Sequence, residues 1–195
     1  AMADMGLCSR RQAEQIILEG RVKLNGRPVK LGDKMDMATD LLSVDGQTVR
    51  APKQKEYKYY ILHKPRGYIT TVRDDRGRKT VMELVADIPT RVYPVGRLDK
   101  DSEGLLLFTN DGALAHHLLS PRHHVPKTYE VHISNPLSAE HIELLEKGIT
   151  IDGPELCKPA EVEVLNDHLI HLTITEGKFH QVKRMLQAVD NEVIY

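Results

Sequence analysis

The chain reads as an α+β protein with two units. Three observations predict this. Short strands of period-two alternation outnumber helices, Asn-Gly and Asp-Gly turns close local hairpins, and a charged segment at 51–58 separates a small first part from a larger second part. The second part is expected to be a mainly antiparallel mixed sheet flanked by helices.

Each element has a local cause. Ser9 and Gln12 form an S-x-x-Q capping box, Ala13, Ile16 and Ile17 supply an apolar face, and Gly20 ends the helix. Residues 21–24 alternate up to Asn25-Gly26, and residues 41–44 and 47–49 flank Asp45-Gly46, so two hairpins follow. Residues 1–50 therefore form one small unit. In the second unit strands are expected at 59–62, 68–72, 92–95, 105–108, 129–133, 160–165 and 169–175, with Lys64-Pro65-Arg66-Gly67 interrupting the first two. Helices are expected at 80–85, capped by Thr80, at 113–119, at 139–147, capped by Ser138 and stopped by Gly148, and at 179–189.

The 195 residues carry a net charge of -1, which hides an asymmetry: +3 over 1–58, +3 over 59–127 and -7 over 128–195. The first two thirds can present a basic face to a polyanion. No apolar run is long enough to span a bilayer, and the first residues lack the pattern of a secretory signal. Cys8 and Cys157 have no CxxC partners and read as reduced thiols, so a cytoplasmic protein with no membrane association is expected.

The stretch from Gly96 to Gly112, GRLDKDSEGLLLFTNDG, concentrates the chemistry. It sets Asp99 in a loop of glycines and charges at the mouth of the apolar strand 105–108. A carboxylate there suits nucleophilic or acid–base work, though by spacing alone an Asx turn is the commoner use of an Asp in such a loop. Asp101 offers a second carboxylate, as glycoside hydrolysis needs, yet among Lys100, Ser102 and Glu103 it reads as a solvated loop residue. No G-x-S-x-G elbow and no phosphate-binding P-loop occurs. The pairs His116-His117 and His123-His124 lack the spacing of a metal site, and none is expected; beside Arg122 and Lys127 they can instead donate to phosphate. Residues 176–185, EGKFHQVKRM, gather Lys178, Lys183 and Arg184 at a helix start, where the dipole disfavours cations. Either they meet phosphate or they pair with a buried acid.

Five ordered strings, HKPRG, GRLDKDSEGLLLFTNDG, SPRHHVPKTYEV, KPAEVEV and EGKFHQVKRM, resemble the pseudouridine synthases of the ribosomal small-subunit synthase A type, the RsuA family. They span residues 61–189. The string SRRQAEQIILEGRVKLNG in residues 1–50 resembles the small RNA-binding domain first seen in ribosomal protein S-four. The resemblance implies a bacterial-type enzyme that isomerises one uridine of ribosomal RNA, without cofactor or metal, after flipping it from its stack. It implies 16S RNA or an assembling small subunit as partner and a monomeric state. Sister enzymes acting on 23S RNA, or a non-catalytic RNA-binding assembly factor, are the alternatives. Both ends look clipped against the family, whose members have an initial helix and a further strand.

Carried over by position, the resemblance makes Asp99 the nucleophile, toward the ribose anomeric carbon or the uracil ring. It makes Tyr129 the aromatic that stacks on the base and serves in proton transfer, and Lys183 the cation paired with Asp99. Arg97 is expected to hold the flipped nucleotide or its gap. Arg10, Arg11, Lys23 and Arg27 are expected to meet RNA from the first unit, and Arg122, Lys127, His180 and Arg184 from the second. Leu106, Ile174 and Met185 are expected near the site.

Overall fold

The computed structural model describes residues 1–50 and 56–195. Residues 51–55, most of the expected linker, lie outside the described residues. The chain divides between Tyr57 and Lys58 into two compact units. Lys58 already belongs to the second: its N–H donates to Asn110 Oδ1 at 2.8 Å, and its carbonyl accepts from the Thr109 hydroxyl at 2.7 Å.

In the first unit the helix α1 spans Arg10–Leu18. Both halves of its capping box are present, Gln12 N–H to Ser9 Oγ at 3.1 Å and Ser9 N–H to Gln12 Oε1 at 2.9 Å. Strands β1 (Val22–Leu24), β2 (Arg27–Pro28), β3 (Leu42–Val44) and β4 (Gln47–Val49) form one sheet of order β2-β1-β3-β4. Both hairpin turns have positive φ at both central residues, 50° and 80° at Asn25-Gly26 and 51° and 78° at Asp45-Gly46. That conformation matches the twist of the flanking strands. Val22, Leu42, Met2 and Met5 form the buried centre, and Ile16 and Ile17 of α1 pack on it.

In the second unit the expected antiparallel strands fall into two three-stranded sheets, flanked by helices. Strands β5 (Tyr59–Lys64), β6 (Tyr93–Val95) and β7 (Gly104–Thr109) pair in the order β5-β7-β6. After helix α2 (Gly112–Leu119), strand β8 (Lys127–His132) leads to helix α3 (Ala139–Lys147). A short hairpin, β9 (Thr150–Ile151) with β10 (Glu155–Leu156), was not foreseen, because two-residue strands carry no readable alternation. Strands β11 (Glu161–Asn166) and β12 (Leu169–Ile174) complete the second sheet in the order β11-β12-β8, and helix α4 spans Gln181–Gln187.

Two further expectations change. Residues 68–72 do not form a strand. Only Ile69 makes a bridge, to Thr80, because the chain turns here toward the Asp99 loop, and the Thr70 and Thr71 hydroxyls bond to the main-chain carbonyls of Leu98 and Arg73. The last helix begins two residues late: His180 is left-handed at φ 47°, so Phe179 and His180 stand outside it.

Each sheet has its own core. Phe108, Leu106 and Val81 centre the first; Leu172, Ile170, Leu145, Met185 and Leu186 centre the second. Both cysteines are free, and Cys157 is buried in the second core, where burial raises its thiol pKa. No described helix is long and apolar enough to cross a membrane.

Candidate active site

The site is built on the connection between β6 and β7. Strand β5 alternates inward and outward, and its last inward position, in phase with Tyr60 and Leu62, is Lys64. Lys64 is completely buried. Its ammonium donates to the main-chain carbonyls of Ser102 at 2.7 Å, Asp99 at 3.0 Å and Pro65 at 3.1 Å. A buried charge survives when its donors are met. Burial lowers the Lys64 pKa, and the charges of Asp101, Asp99 and Glu103 oppose that shift. Asp101 therefore acts on the charge of Lys64 from an exposed position.

Four more bonds fix the loop. Gly67 N–H reaches the Lys100 carbonyl at 2.8 Å, and Ser102 N–H reaches the Asp99 carbonyl at 3.1 Å. The Thr70 hydroxyl donates to the Leu98 carbonyl at 2.8 Å and accepts from Leu98 N–H at 3.2 Å. The main chain of Asp99 is thus over-determined while its carboxylate stays about one-third exposed. A cleft of about 450 Å³ runs past Asp99 and Arg97, walled by Thr70, Arg73, Asp74 and Arg78. That volume lies in the range of small-ligand sites. Asp74 organises the far wall. It accepts the N–H groups of Arg76 and Arg78 and pairs with the Arg78 guanidinium at 2.6 Å, which holds its carboxyl down to about 2.

Tyr129, on β8 opposite Leu172, packs against the second core. Burial raises its phenol pKa, and the Asp99 charge raises it further, so the two groups are within electrostatic reach. The cross-strand pair Thr128–Thr173, hydroxyl to hydroxyl at 2.7 Å, pins the strand beside it. The basic side chain that meets Asp99 differs from the one expected. His180 Nε2 lies 3.6 Å from Asp99 Oδ1, whereas the half-buried Lys183 makes no ion pair with Asp99 among the described residues. The left-handed turn at His180 carries its imidazole to the carboxylate, while Lys183 follows on the helix proper.

Two of the three helix-start cations pair with acids. Arg184 bonds to Asp152, to Glu155 and, at 2.9 Å, to the Phe179 carbonyl, and Lys178 pairs with Glu155 at 3.2 Å. These two pair with acids, so Arg184 is not presented to RNA in this structure, contrary to its expected role. Arg97 is exposed and Lys127 half-buried, its ammonium donating to the Val125 carbonyl at 3.2 Å. Arg122 lies exposed in the single turn Pro121–His123. His117 and His123 stack at 4.1 Å, and His124 meets the Lys158 ammonium at 3.0 Å. Leu106, Ile174 and Met185 lie in the two cores and do not line the cleft. In the first unit Arg10, Arg11, Lys23 and Arg27 are all exposed, on α1, β1 and β2, and none forms an ion pair among the described residues.

Sequence reasoning missed Lys64, Arg73 and Arg78. Lys64 had a signal, since a lysine at the inward phase of a strand is either paired or an error of register. The two arginines lay in a charged loop whose shape depends on Asp74.

The site thus combines a carboxylate on a fixed main chain, a cleft walled by arginines, and a half-buried tyrosine within electrostatic reach. The chain belongs to the RNA pseudouridylate synthase family, whose model matches residues 58–188, and an S4 domain matches residues 1–38. An RNA pseudouridine synthase of Bacillus subtilis, YtzG, is 44% identical over 100% of this chain and 82% of its own length. Ribosomal large subunit pseudouridine synthase B of the same organism is 41% identical over 99% and 80%. Ribosomal small subunit pseudouridine synthase A of Pasteurella multocida is 34% identical over 95% and 80%. A crystal structure of a pseudouridylate synthase superposes with a TM-score of 0.68 at 35% identity, covering 99% of this chain and 82% of that one.

Proposed function

We propose that this chain isomerises one uridine of small-subunit (16S) ribosomal RNA to pseudouridine, acting as a cytoplasmic monomer with Asp99 as nucleophile. The observation that carries the reading is the grip on the main chain at and around Asp99, which leaves its carboxylate about one-third exposed and within electrostatic reach of Tyr129. Such preorganisation is what a displacement at carbon needs.

The reaction is an isomerisation. The bond from the ribose anomeric carbon to N1 of uracil breaks, a bond from the same carbon to C5 forms, the C5 proton leaves and N1 gains a proton. Atoms and electrons balance without oxidant, reductant or water. Asp99 attacks the anomeric carbon as its bond to N1 breaks, the detached ring turns in the cleft, and C5 then displaces the carboxylate from that carbon; Tyr129, whose phenol stays protonated well into the alkaline range, serves the proton transfer. The His180 imidazole, 3.6 Å from the carboxylate, orients it as the substrate displaces water. Lys183 serves the phosphates flanking the flipped uridine, with Arg97.

The 16S assignment is supported by the strings SPRHH and KPAEVEV. The 41% identity to the large-subunit enzyme, against 34% to the small-subunit one, favours 23S RNA as a second reading. Pseudouridine mapping on 16S and 23S transcripts with the full chain and Asp99→Asn decides both. The expected result is one modified uridine in 16S RNA with the full chain and none with Asp99→Asn. Modification confined to 23S RNA selects the second reading, and wild-type rates in Asp99→Asn remove Asp99 as nucleophile.

A further inference from the structure

The sequence has two phenylalanines. Phe108 is fully buried, but Phe179 is 69% exposed. It is not a loose side chain on a loose loop. Its carbonyl accepts from Arg184 at 2.9 Å, and Arg184 is itself held by Asp152 and Glu155. The preceding Lys178 N–H donates to Gln181 Oε1 at 2.8 Å. The Gln181 amide, almost wholly buried, donates in turn to Glu176 at 2.7 Å. The loop is tied from both ends, and none of these ties covers the ring.

The ring lies over the His180 imidazole, centroids 3.8 Å apart and planes 17° from parallel. The same imidazole is 3.6 Å from the Asp99 carboxylate. An exposed, fixed, two-ring stack therefore adjoins the nucleophile, and the core does not need it: Phe179 is absent from the packing of both buried clusters.

We propose that the Phe179–His180 stack is a binding platform for an unpaired nucleobase, that of the nucleotide next to the target uridine. This rests on the proposed function. Flipping a uridine toward Asp99 strips its neighbour of one stacking face, and a flat aromatic surface beside Asp99 replaces it. Stacking on an aromatic ring accepts any base, because every base has a π-face. The platform thus adds affinity for the opened RNA without choosing its sequence. Tyr129 is half-buried on a strand and is the partner of the target base itself.

The test compares the full chain with Phe179→Leu, which keeps an apolar side chain without a π-face, and Phe179→Tyr, which keeps the ring. Each is titrated with an oligouridylate carrying one central 2-aminopurine, whose fluorescence falls on stacking. The wild type and Phe179→Tyr are expected to quench it. Phe179→Leu is expected to lose most of that quenching and to bind roughly tenfold more weakly, the size base–aromatic stacking carries. Equal quenching by Phe179→Leu and the wild type overturns the platform, whether the ring then serves a protein partner or nothing. On rRNA transcripts the same variants should show the loss chiefly in KM, with Phe179→Tyr restoring it. If the wild type forms no pseudouridine in either rRNA, the proposed function fails on its own, and the quenching contrast still decides the platform. Unchanged thermal unfolding of Phe179→Leu confirms that an exposed ring was removed without loss of fold.

Discussion

The buried ammonium of Lys64 donates to the main-chain carbonyl of Asp99 at 3.0 Å. The residue at the centre of the site is thus held by its backbone, from a neighbouring strand, while its side chain is left to the solvent and the substrate. The same ammonium reaches Ser102 and Pro65, so one cation closes both sides of the loop.

Lys64→Met is expected to leave those carbonyls without their charged donor. Unpaired buried acceptors cost about 1–3 kcal/mol, and a loop displaced by an ångström loses on the order of 10²-fold in rate. Urea midpoints and single-turnover pseudouridine formation measure the two effects separately. A stable variant with wild-type rate would show that Thr70 and Gly67 hold the loop unaided.

Tyr129→Phe keeps the ring and removes the phenol. The expected outcome is a fall in kcat of about 10²-fold or more, the range of a lost proton carrier, with KM little changed. A change confined to KM would make Tyr129 a stacking surface alone. In Asp99→Asn the Tyr129 phenol should titrate at lower pH, because the Asp99 charge is one of the two causes that raise it. Ultraviolet difference titration of the two proteins reads this directly.

Arg10 and Arg11 stand exposed on the first turn of α1. Replacing both with alanine is expected to weaken RNA binding at low salt and to flatten the plot of log affinity against log salt by roughly 1.5 units, the yield of two phosphate contacts. An unchanged slope would move the contacts to Lys23 and Arg27 or off the unit.

Asp74 gives a pH dependence with a defined sign. Its carboxyl titrates at about 2 in the folded chain against 3.8 ordinarily. Between those values the unfolded chain binds the proton and the folded chain does not. The contribution of Asp74 is therefore complete above about pH 4 and lost as pH falls through 2. Asp74→Asn should be less stable than the wild type near neutrality, with the difference closing toward pH 2. Urea midpoints across that interval check it.

Local chemistry made much of the fold legible. The Ser9–Gln12 box, the Asn25-Gly26 and Asp45-Gly46 turns and the Ser138 cap each act over four residues, and each stands as read. Residues 68–72 did not, because Thr70 bonds to Leu98, a partner 28 positions away that no local pattern reveals. The site divides the same way. Asp99, Arg97 and Tyr129 are singled out by extended motifs. The His180–Asp99 contact is not, since it depends on one left-handed residue that delays a helix by two positions. Arg184 looked like an RNA contact because its acids, Asp152 and Glu155, sit on a hairpin too short to see.

Lys64, Gly67 and Thr70 hold the loop from 98 to 102 through its carbonyls and N–H groups, which every residue but proline supplies alike. The side chains at 100 and 102 can therefore be exchanged while the Asp99 main chain keeps its coordinates, provided the acids at 99, 101 and 103 continue to balance Lys64. This arrangement separates heritable position from variable chemistry. A library randomised at 100 and 102 should be rich in active members, and substrate preference can drift there at little structural risk.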